Sequence, residues 1–257
     1  MAEKMGNGGH SLEKYDTSTG KYMEDGQPNK YYNNPNENNI LDNNSKNNLG
    51  KELTPNQTKY FANSKMRDKN GNLKVMYRGD SEDFDTFDRS KMNNYGTFGN
   101  GFYFSEENSH AGTYGNTKEY YLNIENPINT EKKQVTLEQV YNLLKYIEDG
   151  GEDGDLDLSN YGYGVTAKSL AKKLYNENDT DFKILRDINA SSYGNFAELI
   201  ELFNKLNGTN YDGIISATET VVFKPNQIKL VSNENPTNSD SISDISEEKK
   251  AMKLFRL

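Results

Sequence analysis

Apolar residues gather into short periodic runs through the middle of this chain and thin out toward both ends. From Pro28 to Gly50, ten of 23 residues are asparagine, and the only aliphatics are Ile40, Leu41 and Leu49. Such a stretch cannot bury enough surface to offset its ordering entropy, so residues 1–50 are expected to be a disordered Asn-rich tail or linker. Residues 233–257, rich in Ser, Asn, Asp and Glu, are expected to form a second polar tail. Within it, the final Met252–Leu257 is apolar enough to dock on a surface that the sequence does not identify.

Between the tails, residues 51–232 carry clear element signals. Leu53–Asn63 reads as a helix, with Thr54 as N-cap, Pro55 at the first helical position and Gln57 completing a capping box. Lys69-Asn70-Gly71-Asn72 marks a turn, followed by the alternating Leu73–Tyr77 strand. Tyr120–Ile124 is a second strand, stopped by Asn126-Pro127. Thr136 opens an amphipathic helix with Leu137, Val140, Leu144 and Ile147 on one face and Gln139 in the capping-box place. Thr166–Asn176 is a weaker helix. Phe196, Leu199, Ile200, Phe203 and Leu206 mark another, closed by Gly208. Gly213–Ser216, Thr220–Phe223 and Ile228–Val231 read as short strands. Strands at both ends with helices between, and no repeating strand-helix alternation, predict an α+β fold.

Composition narrows the chemistry. The 257 residues suit one good-sized domain, and only 33 % are hydrophobic with a mean hydropathy of -0.99, so part of the chain is solvated. A net charge of -9 disfavours a broad nucleic-acid footprint without excluding a local basic groove. The absence of cysteine removes disulfides, thiolate metal sites and a cysteine nucleophile. The two histidines, His10 and His110, cannot build a multi-histidine zinc site. No apolar run approaches the ~20 residues of a membrane span, and Met1–His10 lacks the core of a secretory signal. The acidic run Glu148–Asp155 lacks the ligand alternation of a calcium loop and reads as a solvated loop.

Three short segments carry candidate chemistry. Tyr77-Arg78-Gly79-Asp80 ends the first strand. The glycine-rich Gly96–Gly101 runs into an aromatic strand, Phe102-Tyr103-Phe104-Ser105. Ala217-Thr218-Glu219 opens the apolar strand Thr220–Phe223. Singly, each has a plain reading: loop glycines make turns, strand aromatics make core, and a glutamate at a strand start is exposed.

In this order and spacing the three resemble the ADP-ribosyltransferase superfamily. The likeness is to the branch of diphtheria toxin and the poly(ADP-ribose) polymerases, and to related domains of large phage and mobile-element proteins. The matching residues are Arg78-Gly79, then Gly101-Phe102-Tyr103-Phe104 with Tyr114, then Glu219–Phe223, with Pro225–Ile228 behind. The resemblance covers about Leu53 to Ser232. It implies a split β-sheet core with inserted helices and NAD as co-substrate, with no metal. It also implies roles. Gly79 clamps the nicotinamide carboxamide through its backbone, Tyr103 and Tyr114 sandwich the nicotinamide ring, and Arg78 holds the adenosine ribose or pyrophosphate. Gly101 and Ser105 belong to the binding segment, and Phe84 and Phe87 either help line the adenine pocket or are plain core. Glu219 bonds the ribose 2′-OH and favours the cation that forms as nicotinamide leaves. A fixed carboxylate beside developing positive charge stabilises the transition state more than the ground state.

Two departures qualify the match. Arg78 stands where the diphtheria-like branch has histidine, and Ala217 stands where arginine-modifying enzymes carry a second glutamate. The reading that follows is a mono-ADP-ribosyltransferase acting on a macromolecule, with protein ahead of nucleic acid as acceptor. NAD glycohydrolysis, an RNA 2′-phosphotransferase on the same fold and a non-catalytic NAD-binding module are the alternatives. The attendant expectations are a monomer with no membrane partner, cytoplasmic or delivered into a target cell, and belonging to a longer mobile-element, effector or toxin protein. His110 is expected on a helix face or the surface.

Overall fold

The computed structural model describes residues 14–16, 21–24, 27–28, 45–92, 96–151, 158–192 and 195–243. The chain divides into two units, Met1–Asn43 and Asn44–Leu257. In the first, strands β1 (Lys14–Asp16), β2 (Lys21–Glu24) and β3 (Gln27–Pro28) form an antiparallel meander, with Tyr15 and Tyr22 as direct register partners. These strands fall inside the stretch expected to be an unstructured tail. The Asn-rich 29–44 lies outside the described residues.

The second unit is α+β. Its described residues begin at Ser45, before the expected boundary at residue 51, and Asn47 is already buried there, donating its side-chain amide to the Tyr121 hydroxyl at 2.9 Å. Helix α1 (Pro55–Tyr60) has the capping box read from Thr54 and Gln57. Strands β4 (Met76–Asp80), β6 (Asn116–Leu122) and β10 (Ile228–Leu230) form one antiparallel sheet in the order β10-β6-β4. Strands β5 (Phe102–Phe104), β9 (Thr220–Val222), β8 (Gly213–Ile215) and β7 (Pro127–Ile128) form the other, in that spatial order, with β7 and β8 parallel. Short helix α2 (Asn108–Ala111) follows β5. Helices α3 (Leu137–Glu148), α4 (Ala167–Glu177), α5 (Asp181–Ser192) and α6 (Phe196–Asn207) are inserted between β7 and β8.

Side-chain alternation, the natural consequence of the strand period of two, sorts the core into layers. Phe102, Phe104 and Val222 pack with Met76, Tyr120 and Leu122 of the first sheet. Their neighbours Tyr103 and Val221 turn the other way, against the helices, where Leu143, Ile147, Leu170, Ile200 and Phe203 are buried. Tyr121 and Val75 face outward beneath α1, packing with Phe61.

The packed chain also runs past Ser232. Ile242 is buried among the residues between the sheets, donates its backbone N–H to Asp85 and accepts one from Leu230. The buried Lys229 donates to the Ser239 and Ser241 carbonyls at 2.5 and 2.7 Å. The segment read as tail is therefore part of the fold as far as Ser243, while Met252–Leu257 lies outside the described residues. Among those residues, no helix is long and apolar enough to cross a membrane.

Candidate active site

The two sheets touch through one bridge. Tyr77 of β4 donates its N–H to Ser105 at 2.7 Å and accepts from the Ser105 N–H at 2.9 Å. Antiparallel alternation then dictates where the next backbone groups point. Both Tyr77 groups face the second sheet, so those of Arg78 turn to Lys118 of β6, and those of Gly79 turn back toward the split. Beyond the bridge the sheets diverge and a cavity of about 360 Å³ opens.

The cavity wall brings together six of the nine residues given roles from sequence: Arg78, Gly79, Tyr103, Ser105, Tyr114 and Glu219. Gly79 is a glycine for a packing reason distinct from the one expected. A Cβ there would come 2.1 Å from the Ala111 carbonyl oxygen, so its absence lets α2 lie against β4. Gly101 is off the wall. It is buried behind β5, where a Cβ would meet Val221 Cγ1 at 2.2 Å, and its role is to let β5 and β9 approach. Phe84 lies in an adjoining cavity of about 210 Å³, with Phe87, Asp80, Lys91 and Phe102. Arg78 lines both cavities and so stands at their junction.

Arg78 is held from several sides. Its Nε donates to Asp80 Oδ1 at 2.8 Å, and Nη1 donates to the Tyr103 carbonyl at 3.1 Å. The guanidinium sits 5.3 Å from the Phe87 ring centre and 5.9 Å from that of Phe104, within cation–π range. Nη2 has no bond to the described residues. The other oxygen of Asp80, Oδ2, is buried and without a hydrogen-bond partner among the described residues.

Tyr103 does more than present a ring. Its hydroxyl accepts from the Phe98 N–H at 3.0 Å and donates to the Gly99 carbonyl at 2.6 Å, tying down the glycine-rich loop. Gly96 must lack a side chain because the Tyr103 ring fills that space, and Gly99 adopts a φ of +79° against Phe196. Burial, chiefly, pushes the Tyr103 phenol well above its ordinary pKa, with the nearby Glu219 charge adding to the rise. Tyr114 is 67 % exposed on the opposite rim.

Glu219 closes a four-residue turn between β8 and β9. Its N–H donates to Ser216 Oγ at 3.1 Å, and its carbonyl accepts from the Ser216 N–H and hydroxyl at 3.1 and 2.8 Å. The β5–β9 register pairs Phe104 with Thr220, which carries Glu219 to the level of Ser105 at the bridge. Its backbone is thus fixed, while its carboxylate makes no hydrogen bond or ion pair to the described residues. Ala217 and Thr218, in the same turn, are exposed.

Six wall residues had been given no role from sequence: Tyr77, Gly96, Thr97, Phe104, His110 and Ala111. His110, expected on a helix face or the surface, is exposed on α2 and also faces the cavity, its ring 5.8 Å from Tyr114 in edge-on geometry. The usable signal was its spacing, four residues before Tyr114, which is one turn of helix. No group of three or more metal-ligating side chains occurs among the described residues.

The family model described as ADP-ribosyltransferase in polyvalent proteins matches residues 68–238. No curated protein and no solved structure gives a significant match.

Proposed function

The chain belongs to the ADP-ribosyltransferase family of polyvalent proteins, whose members use NAD as substrate, and we propose that it is a catalytically active mono-ADP-ribosyltransferase. In this reading it cleaves NAD between nicotinamide and ribose and passes ADP-ribose to a macromolecule, a protein before a nucleic acid. The observation that carries the reading is Glu219. A carboxylate on a rigid turn, aimed at a cavity and spent on no internal partner, has no structural purpose, and a module that only bound its ligand would not need one there.

The surrounding residues fit the two halves of NAD. The cavity-facing N–H and C=O of Gly79 match the complementary donor and acceptor of a carboxamide. Tyr103 and Tyr114 offer flat walls for a pyridinium ring. Arg78, with Nη2 unspent at the junction of two cavities, suits a pyrophosphate running from one to the other. Phe84 and Phe87, whose rings meet edge to face at 4.9 Å, suit the apolar face of adenine in the adjoining cavity. As nicotinamide leaves, positive charge grows on the ribose, and the Glu219 carboxylate stabilises it without reorganisation.

Incubation with labelled NAD and a bacterial lysate tests the proposal, with wild type and Glu219→Ala side by side. Label appearing on protease-sensitive material with wild type alone is the expected result. Loss of turnover by about 10²–10³ is expected in the variant. NAD that binds but is never cleaved, in any lysate, would overturn the catalytic reading.

A further inference from the structure

The cavity contains more chemistry than Glu219 uses. Six of its wall residues are ionisable: Tyr77, Arg78, Tyr103, His110, Tyr114 and Glu219. Arginine keeps its proton throughout the accessible range, and phenols hold theirs at neutral pH. Burial pushes Tyr77 and Tyr103 further in that direction, and the Tyr103 hydroxyl is already spent on the loop. With Glu219 occupied by the sugar, the imidazole of His110 is the one wall group of a type that accepts a proton near neutrality.

We infer that His110 is the base that takes the proton of the attacking nucleophile, and that this nucleophile is a protein hydroxyl. The inference rests on the transferase reading above. In the step, the C1′–N bond breaks and its electron pair leaves with neutral nicotinamide. An acceptor oxygen lone pair forms the C1′–O bond, and the hydroxyl proton passes to His110, which later releases it to water. The choice of a hydroxyl follows from the acceptor side of the site. A guanidinium acceptor would bring positive charge beside Arg78 and the developing sugar cation. The turn residues Ser216, Ala217 and Thr218 supply no carboxylate to offset it. A neutral hydroxyl needs only a base that gains a proton as the new bond forms.

The position of His110 is built rather than incidental. Helix α2 is seated against β4 because Gly79 lacks a Cβ, and this fixes the turn that carries His110 and Tyr114. The ionisable groups around the imidazole come from every neighbouring element. Tyr114, from the following turn, meets the ring at 5.8 Å, and Arg78 and Tyr77 of β4 and Tyr103 and Glu219 of the other sheet line the same cavity. On its own side lie Glu107 and Glu106, the latter paired with Lys74.

The test follows nicotinamide release and labelling of lysate protein from pH 5 to 9, for wild type, His110→Gln, His110→Ala and Glu219→Ala, with NAD affinity measured in parallel. In wild type the rate is expected to rise with pH from the acid end of this range and then level off. His110→Gln is expected to lose that limb and to fall about 10²-fold while binding NAD within a few-fold of wild type. Added 4-methylimidazole is expected to restore part of the His110→Ala rate. The labelled bond is expected to resist neutral hydroxylamine, as an O-glycoside does and a carboxylate ester does not. If His110→Gln keeps the wild-type rate and pH limb while Glu219→Ala is dead, the role of His110 is overturned and the transferase reading stands. If wild type neither binds nor turns over NAD, both fall together.

Discussion

Tyr77 and Ser105 exchange two backbone hydrogen bonds, at 2.7 and 2.9 Å, and this bridge is where the two sheets stop being one surface. The site follows from it. On one side of the bridge the strands continue as packed core. On the other side, strand alternation turns the Gly79 backbone toward the opening, and the β5–β9 register brings Glu219 level with Ser105. The glycine, the aromatic strand and the glutamate are distant in sequence but adjacent here because each sits at the same height on its own strand.

Gly79→Ala is therefore expected to act through α2. The new methyl would meet a backbone carbonyl, which cannot rotate away as a side chain can, so α2 must shift with His110 and Tyr114. Overpacking of this kind costs about 1–3 kcal/mol. Thermal unfolding should show the loss, and NAD titration should show weaker binding. Unchanged affinity would mean that α2 does not shape the ligand site.

Tyr103→Phe separates the ring from the hydroxyl. The ring wall remains, while the Phe98 N–H and Gly99 carbonyl lose their common partner. Each such bond contributes about 1 kcal/mol, so a destabilisation of about 1–2 kcal/mol is expected. Limited proteolysis should then cut within the glycine-rich loop faster than in wild type. The KM for NAD should rise more than kcat falls, since the loop lines the cavity and touches no reacting bond.

Much of this was legible locally. The capping boxes read at Thr54 and Thr136 are real, and Gly208 closes α6 with a φ of +63°. What escaped depends on distant partners. Helix α5 carries one local signal, Thr180, whose hydroxyl accepts the Lys183 N–H at 3.2 Å, but its first two N–H groups are met from afar, Asp181 by Lys132 and Phe182 by Asn129. The polar Asn116-Thr117-Lys118-Glu119 lies outside the strand expected at Tyr120–Ile124, yet it pairs with Tyr77–Asp80 and begins β6 four residues earlier. Pro127 reads as a strand stop, but it begins the edge strand β7, where its missing N–H is tolerated. In the site, Glu219, Arg78 and Tyr103 were visible because order and spacing mark them. His110 was not, because only the seating of α2 makes it a wall residue.

Arg78→Lys is expected to be a poor replacement despite keeping the charge. The lysine ammonium cannot donate in fixed fork geometry to both Asp80 and the Tyr103 carbonyl, and it does not stack on Phe87 and Phe104 as a planar group does. The Asp80 carboxylate, already with one unpartnered buried oxygen, would lose its guanidinium. A loss of about 1–3 kcal/mol in unfolding free energy is expected, with at least a roughly 10-fold rise in the NAD dissociation constant. Calorimetric titration and denaturant unfolding check the two effects separately. Wild-type affinity in the lysine variant would remove Arg78 from the binding site.

Lys229 gives the fold a pH dependence with a definite sign. It is fully buried on β10, and burial lowers its pKa to about 8 from the ordinary 10.5, opposed by the Asp240 charge. Below pH 8 the lysine is charged in both the folded and unfolded chain, and the cost of burying that charge is fully present. Between pH 8 and 10.5 the unfolded chain still holds a proton that the folded chain has released, so stability rises with pH. The rise is at most about 3–4 kcal/mol, since each pKa unit corresponds to about 1.4 kcal/mol. The buried tyrosines work in the opposite sense above pH 10, where the unfolded phenols ionise first, so the useful window is pH 8 to 10. Urea unfolding at pH 7.5, 8.5 and 9.5 should show wild type gaining stability relative to Lys229→Met across that window. A constant difference between the two would mean that the lysine stays charged in the fold, held by the Ser239 and Ser241 carbonyls that accept its protons.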